Sequence, residues 1–164
     1  MTLDVVVGKI HDRFVKMGWT LSVAESCTGG ALASALVKRA GASQFFSGGI
    51  VSYSNAVKAN VLGVNTGTLK GHGAVSYPVA EQMAKQVRDK METTWSLSTT
   101  GIAGPDGGSD SKPVGTLCVG IAGPGFVGRT MRQSDVADRE SFIEDTVHWS
   151  LTHLLETVEE GIEN

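Results

Sequence analysis

Apolar positions recur along the chain with two different periods, and the changes between them mark the elements. Val6, Val7, Ile10, Phe14 and Met17 fall at helical spacing, which predicts a helix over 5–17 with Gly18 as its stop. Thr20 to Ala24 alternates and predicts a strand, and Leu32, Ala35 and Leu36 predict a helix over 31–39. A second strand is expected over 45–53, weakened by Gly48 and Gly49. Asn55 is the expected cap of a short helix to 62, stopped by Gly63, and 66–73 reads as loop. Ser76 and Pro78 open a helix to about 91. Strands follow over 95–100, 114–122 and 126–133, the last two joined by the turn Gly123-Pro124-Gly125. The final helix, over 138–160, puts Phe142, Ile143, Val147, Leu151, Leu154, Leu155 and Val158 on one side.

Strands interleaved with helices, then a hairpin and a last helix, predict an α/β fold. The expected architecture is a single-domain layered α/β sandwich, a mixed β-sheet flanked by helices, taking 1–164 as one domain. A length of 164 residues suits one domain, and no internal repeat, linker or low-complexity segment interrupts it.

Composition narrows the chemistry. Glycine accounts for 21 residues without a Gly-X-Y period, and the glycines bunch, which points to tight turns built around something. A net charge of -3 argues against a nucleic-acid groove, although a small anion needs only a local nest of N–H groups and a cation or two. No apolar run approaches a membrane span. Met1 to Asp4 shows no basic start to a signal peptide, and two cysteines give no disulfide framework, so a cytoplasmic home is expected.

Three stretches can carry chemistry. The first is the strand-to-helix turn Glu25-Ser26-Cys27-Thr28-Gly29-Gly30. N–H groups at a helix start favour an anion or a developing oxyanion, and a nucleophile placed there sits in a favourable field. Ser26 and Cys27 both qualify by position, while Ser26 or Thr28 could equally serve only as caps. No P-loop pattern is present. The second is Tyr53 with Lys58, which can reach the same strand-end rim. A desolvated lysine there can act as a base, with the tyrosine relaying a proton; the plain alternative is a rim tyrosine and a solvated lysine. The third is Thr100-Gly101-Ile102-Ala103-Gly104 and the glycines after it, a loop rich in N–H groups suited to a carboxamide, ribose or phosphate, or else a surface loop. Arg139 can clamp a phosphate or pair with Asp135 or Glu140. No histidine pair has metal-ligand spacing, since His148 and His153 point about 140° apart on a helix.

Four blocks in order resemble the CinA C-terminal domain family, which includes stand-alone nicotinamide-nucleotide amidases. They are Ala24 to Gly30 (AESCTGG), Val51 to Asn55 with Lys58 and Leu62-Gly63-Val64, Gly73 to Ser76, and Thr100 to Gly108, within a resemblance running from about 5 to 155. The resemblance implies hydrolysis of the carboxamide of nicotinamide mononucleotide to nicotinate mononucleotide and ammonia, in pyridine-nucleotide salvage. It also implies Ser26 as nucleophile, with Tyr53 and Lys58 as activating partners. Substrate contacts are then expected from Cys27, Thr28, Gly29, Gly30, Thr100, Gly101, Ala103, Gly104 and Arg139. No metal or organic cofactor, nucleic acid or membrane is expected. A homo-oligomer is expected, with Trp19, Phe45, Phe46 and Trp149 as candidate exposed residues. The family often has Gly-Asp-Arg before its last helix, where this chain has Ala137-Asp138-Arg139, and often Glu where it has Tyr77. Longer members carry an N-terminal nucleotide-processing domain, for which 164 residues leave no room. The alternative reading is a non-catalytic nucleotide- or partner-binding module of the same fold. A phosphate-ester hydrolase is disfavoured by the lack of a metal-binding carboxylate cluster.

Overall fold

The structure is a computed structural model that describes residues 1–136 and 138–161, so the Ala137 departure lies outside the described residues. Its elements are α1 (Leu3–Met17), β1 (Leu21–Glu25), α2 (Ala31–Val37), β2 (Phe46–Val51), α3 (Asn55–Val57), α4 (Thr66–His72), α5 (Tyr77–Met91), β3 (Trp95–Gly101), β4 (Thr116–Gly123), β5 (Phe126–Gln133) and α6 (Arg139–Glu160). A π-helical turn, Lys58–Leu62, continues α3.

The five strands form one mixed sheet in the order β2-β1-β3-β4-β5. β1 runs parallel to both β2 and β3, while β3–β4 and β4–β5 are antiparallel. Strand alternation gives the two faces different characters. Val23, Leu97, Leu117, Val119 and Ile121 build a core with α1, α2 and α6, through Ile10, Phe14, Leu36, Phe142, Leu151 and Leu154. The other face is small and polar. Ser96 and Ser98 donate to the carbonyls of Ala84 and Ala80 on α5, both at 2.6 Å. A Cβ on Gly120 would sit 2.2 Å from the Ala80 carbonyl oxygen, so only glycine lets α5 lie this close. Ala24, Leu62, Val64, Leu69, Val79, Met83 and Val87 complete this second core. The layers are therefore helix, sheet, helix, as the sequence predicts.

The expected elements recur with shifted ends and two additions, a 3-10 turn at Ala42–Gln44 and a helix. The stretch 66–73, read as loop, is α4: the Asn65 side chain accepts from Thr68 N–H, Gly73 closes the helix, and Leu69 is buried. Ser54, not Asn55, caps α3, accepting from Val57 N–H at 3.1 Å. Ser76 precedes α5 without capping it and instead donates to the Gly73 carbonyl. Phe45 is fully buried, and Trp19, Phe46 and Trp149 pack against the first core, so these four do not form an exposed apolar patch. No helix among the described residues is long and apolar enough to cross a membrane.

Candidate active site

β1 has parallel neighbours on both sides. The chain leaves it through α2 on one face to reach β2, then crosses the other face through α3 to α5 to reach β3. Such a switch point opens a crevice at the carboxyl end of the strand. β1 ends at Glu25, so the next residue, Ser26, stands in that crevice.

Lys58 comes to Ser26 from the π-helical turn, a local widening of the helix often found at functional positions. Its side chain is 1% exposed, and its Nζ lies 2.8 Å from Ser26 Oγ. The same Nζ donates to the carbonyls of Ser52 at 2.8 Å and Tyr53 at 3.0 Å. No carboxylate pairs with Lys58 among the described residues. Burial without a counter-ion disfavours the ammonium, and desolvation pulls its pKa from 10.5 down to about 8. As the ammonium, Nζ donates to all three oxygens; as the neutral amine it can keep its two N–H bonds to the carbonyls and turn its lone pair to the serine hydroxyl.

Cys27, the other candidate nucleophile, is 5% exposed. Its Sγ would lie 3.2 Å from a Cβ on Gly101, and it belongs to the apolar core. Desolvation pushes its thiol pKa up to about 12, so the thiolate is suppressed. The geometry therefore prefers Ser26 as the activated group.

The start of α2 is already filled. The Glu25 carboxylate, 1% exposed, accepts from the N–H groups of Gly30 (3.2 Å), Leu32 (2.8 Å) and Ala33 (3.1 Å) and from the Thr28 hydroxyl (2.6 Å). The anion at this helix terminus belongs to the protein itself. Thr28 is buried between Glu25 and Thr99, and Gly29 and Gly30, at φ 56° and 108°, shape the turn; none of the three lines the crevice. Ser26 N–H donates to the Thr99 carbonyl. Among the described residues, no backbone carbonyl takes the N–H groups of Cys27, Ala103, Gly104 or Gly107, all of which line the crevice.

The crevice holds about 270 Å³ and is lined by Ser26, Cys27, Tyr53, Lys58, Thr100, Gly101, Ala103, Gly104 and Arg139, with Asn55, Ala74, Val75, Ile102, Asp106 and Gly107. The Tyr53 hydroxyl does not stand between Lys58 and Ser26. Tyr53 is 58% exposed and its hydroxyl accepts from Arg139 at 2.8 Å, so the lysine reaches the serine directly. Arg139 also donates to the Gly104 carbonyl at 2.8 Å, which fixes its guanidinium across the rim, and it pairs with neither Asp135 nor Glu140. Asp106 faces the crevice, and nothing but its place in a glycine-rich loop hinted at that. Among the described residues, no group of three or more His, Cys, Asp or Glu could hold a metal ion. A larger groove of about 710 Å³, walled by Trp19, Trp95 and Phe126, lies at the other end of β3.

Residues 4–158 match the CinA C-terminal domain family. A CinA-like protein of Nostoc sp. is 59% identical over 122 residues, which is 74% of this chain and 29% of that protein. One from Acaryochloris marina is 52% identical over 123 residues, again 29% of its length, so the chain spans under a third of these relatives. Among solved structures, the competence damage-inducible protein A of Klebsiella pneumoniae superposes with a TM-score of 0.93 at 30% identity, covering 97% of this chain and 98% of that one. The competence/damage inducible protein CihA of Agrobacterium tumefaciens gives a TM-score of 0.90 at 37% identity, covering 94% of both chains.

Proposed function

The chain belongs to the CinA C-terminal domain family, and we propose that it is an amidohydrolase converting nicotinamide mononucleotide to nicotinate mononucleotide and ammonia. The observation that carries this reading is the buried, counter-ion-free Lys58 with its Nζ 2.8 Å from Ser26 Oγ. A serine hydroxyl is a weak nucleophile until a base takes its proton, and a lysine becomes that base when desolvation keeps it neutral.

Neutral Lys58 removes the Ser26 proton as Oγ attacks the carboxamide carbon. The carbonyl oxygen becomes an oxyanion, for which the N–H groups of Cys27 or of Ala103, Gly104 and Gly107 are the candidate donors, each donor being worth about 3 kcal/mol. The Lys58 ammonium then gives its proton to the departing nitrogen, and the C–N bond breaks to leave ammonia and a nicotinoyl ester on Ser26. Water, deprotonated by the same amine, attacks the ester; Ser26 regains its proton and nicotinate mononucleotide leaves. Arg139 at the rim is the cation for the substrate phosphate, with Tyr53 holding its guanidinium. The crevice volume of about 270 Å³ suits the pyridine ring and carboxamide, with ribose and phosphate toward the rim.

The test is ammonia release from nicotinamide mononucleotide by the purified protein with metals chelated, beside Ser26→Ala. Release by the wild type alone supports both substrate and nucleophile. Release by neither protein sinks the amidase reading and favours a nucleotide-binding module of this fold.

A further inference from the structure

We propose that Glu25 is the positioning residue that holds both halves of the Ser26–Lys58 pair in register. The proposal rests on Ser26 as the nucleophile of the preceding reading. Glu25 neither lines the crevice nor faces a substrate, and yet it is tied to each arm of the site.

Its side chain holds the serine arm. Oε1 accepts from Thr28 Oγ, Gly30 N–H and Leu32 N–H, and Oε2 accepts from Ala33 N–H. These four bonds tie the turn that carries Ser26 back to the end of β1, because Thr28 and Gly30 lie two and four residues after the serine and Leu32 and Ala33 lie in the first turn of α2. The Thr28 hydroxyl is in turn 2.8 Å from the Thr99 hydroxyl on β3, which anchors the turn to the sheet. The main chain of Glu25 holds the lysine arm. Its carbonyl accepts from Ser52 N–H at 2.8 Å and is 3.4 Å from Ser52 Oγ. The Ser52 carbonyl is one of the two that orient Lys58 Nζ. One residue thus links the placement of the hydroxyl to the placement of the amine.

The demand on the side chain is specific to a carboxylate. Every group facing it is a donor, so both oxygens must accept. Glutamine can turn its oxygen to the three donors on Oε1, but its NH₂ then meets Ala33 N–H, donor against donor, in a site where Glu25 is 1% exposed. Aspartate is one methylene shorter and loses its reach to Leu32 and Ala33. Misplacing a nucleophile by about 1 Å can cost on the order of 100-fold in rate. Glu25→Gln is therefore expected to act on the rate constant and not on substrate affinity.

The experiment compares the wild type, Glu25→Gln, Thr28→Val and Thr28→Ser in two assays. One is kcat and KM for nicotinamide mononucleotide. The other is the rate at which a small fluorophosphonate labels Ser26, located by mass spectrometry and scaled to the folded fraction from circular dichroism. Glu25→Gln should lower both kcat and the labelling rate by about 30-fold or more, with KM within about threefold of wild type. Thr28→Val, which removes one donor to Oε1 and the link to Thr99, should lower labelling by about tenfold, and Thr28→Ser should restore it. The Thr28 pair decides the matter if Glu25→Gln does not fold. Labelling per folded molecule that stays within threefold of wild type in Glu25→Gln, or is equal in Thr28→Val and Thr28→Ser, overturns the proposal. Failure to label Ser26 in the wild type overturns it too. Labelling of the wild type without ammonia release refutes only the substrate reading, and the variants then still test Glu25.

Discussion

Lys58 gives the sharpest prediction, because its role in catalysis and its effect on stability have opposite signs. Burial lowers its pKa from 10.5 to about 8, so roughly 9% of the folded protein carries the free amine at pH 7, against about 0.03% for an ordinary lysine. The fold therefore supplies about 300 times more base at neutral pH. If the amine is the base, kcat/KM for nicotinamide mononucleotide should rise about 25-fold from pH 6.5 to 8.5 and then level off. The same shift destabilises the fold. The unfolded chain keeps its proton up to about 10.5, whereas the folded protein keeps it only up to about 8. The penalty, roughly 3 kcal/mol, is thus fully present below about pH 8 and fades as the pH climbs to 10.5. Lys58→Met removes that penalty but leaves the carbonyls of Ser52 and Tyr53 without donors, at about 1 kcal/mol each. The variant should be more stable than wild type by about 1 kcal/mol at pH 7 and less stable by about 2 kcal/mol at pH 11. Its activity should fall by on the order of 1000-fold at pH 8.5 but only by about 40-fold at pH 6.5, because only the wild type gains from the loss of the lysine proton. Urea unfolding at the two pH values and a pH–rate profile measure both sides. A stability difference that does not change with pH, or a rate that is flat across pH 6.5 to 8.5, would refute the reasoning.

Three further outcomes follow from the packing and the rim. Arg139→Ala should raise KM for nicotinamide mononucleotide by about tenfold or more while changing hydrolysis of nicotinamide riboside, which lacks the phosphate, by less than about threefold; equal losses on both would show that Arg139 holds only the Gly104 loop. The Cys27 thiol, held near 12 and 5% exposed, should resist iodoacetamide at pH 8 in native protein and react in urea, as read by mass spectrometry. Gly120→Ala drives a Cβ to 2.2 Å from the Ala80 carbonyl and should cost about 3 kcal/mol or prevent folding, which urea unfolding would show. A variant as stable as wild type would mean that α5 can move off the sheet.

How far the fold can be read from the chain depends on which forces dominate each segment. The helical periods of α1 and α6, the alternation of Trp95 and Leu97 in β3 and the apolar strand β4 announce themselves because burial decides them. α4 does not, because Thr66, Gly67 and Gly71 have poor helix propensity. Tertiary burial of Leu69 and the Asn65 cap outweigh that propensity, and neither is a local signal. The site divides in the same way. A serine at a strand-to-helix turn is visible as a candidate, but its choice over Cys27 depends on which side chain the core swallows. Lys58 lies 32 residues from Ser26, and a lysine in a short capped helix looks solvated until the π-helical turn aims it inward. Tyr53 shows the reverse case: its position near Lys58 is legible, but its hydroxyl goes to Arg139, a partner 86 residues away.

The same turn also alters where catalytic power can come from. A strand-to-helix turn suggests an open helix terminus that lends its partial positive charge to the reaction, as the sequence led us to expect. Here the α2 terminus is neutralised by Glu25, one residue from the serine, and the N–H groups that would have faced an oxyanion are spent on holding the turn. Two consequences follow. In the proposed mechanism the oxyanion relies on amides outside that set, those of Cys27 or of Ala103, Gly104 and Gly107. In the same mechanism the base is a neutral amine, the form that burial favours for a lysine held by two carbonyls with no carboxylate beside it. On the proposed mechanism, the arrangement gives up the field of the helix for the bonds that hold the turn, and the rate depends on Lys58 losing its proton. A pH limb near 8 that moved with Lys58 and not with Glu25 would separate these two contributions directly.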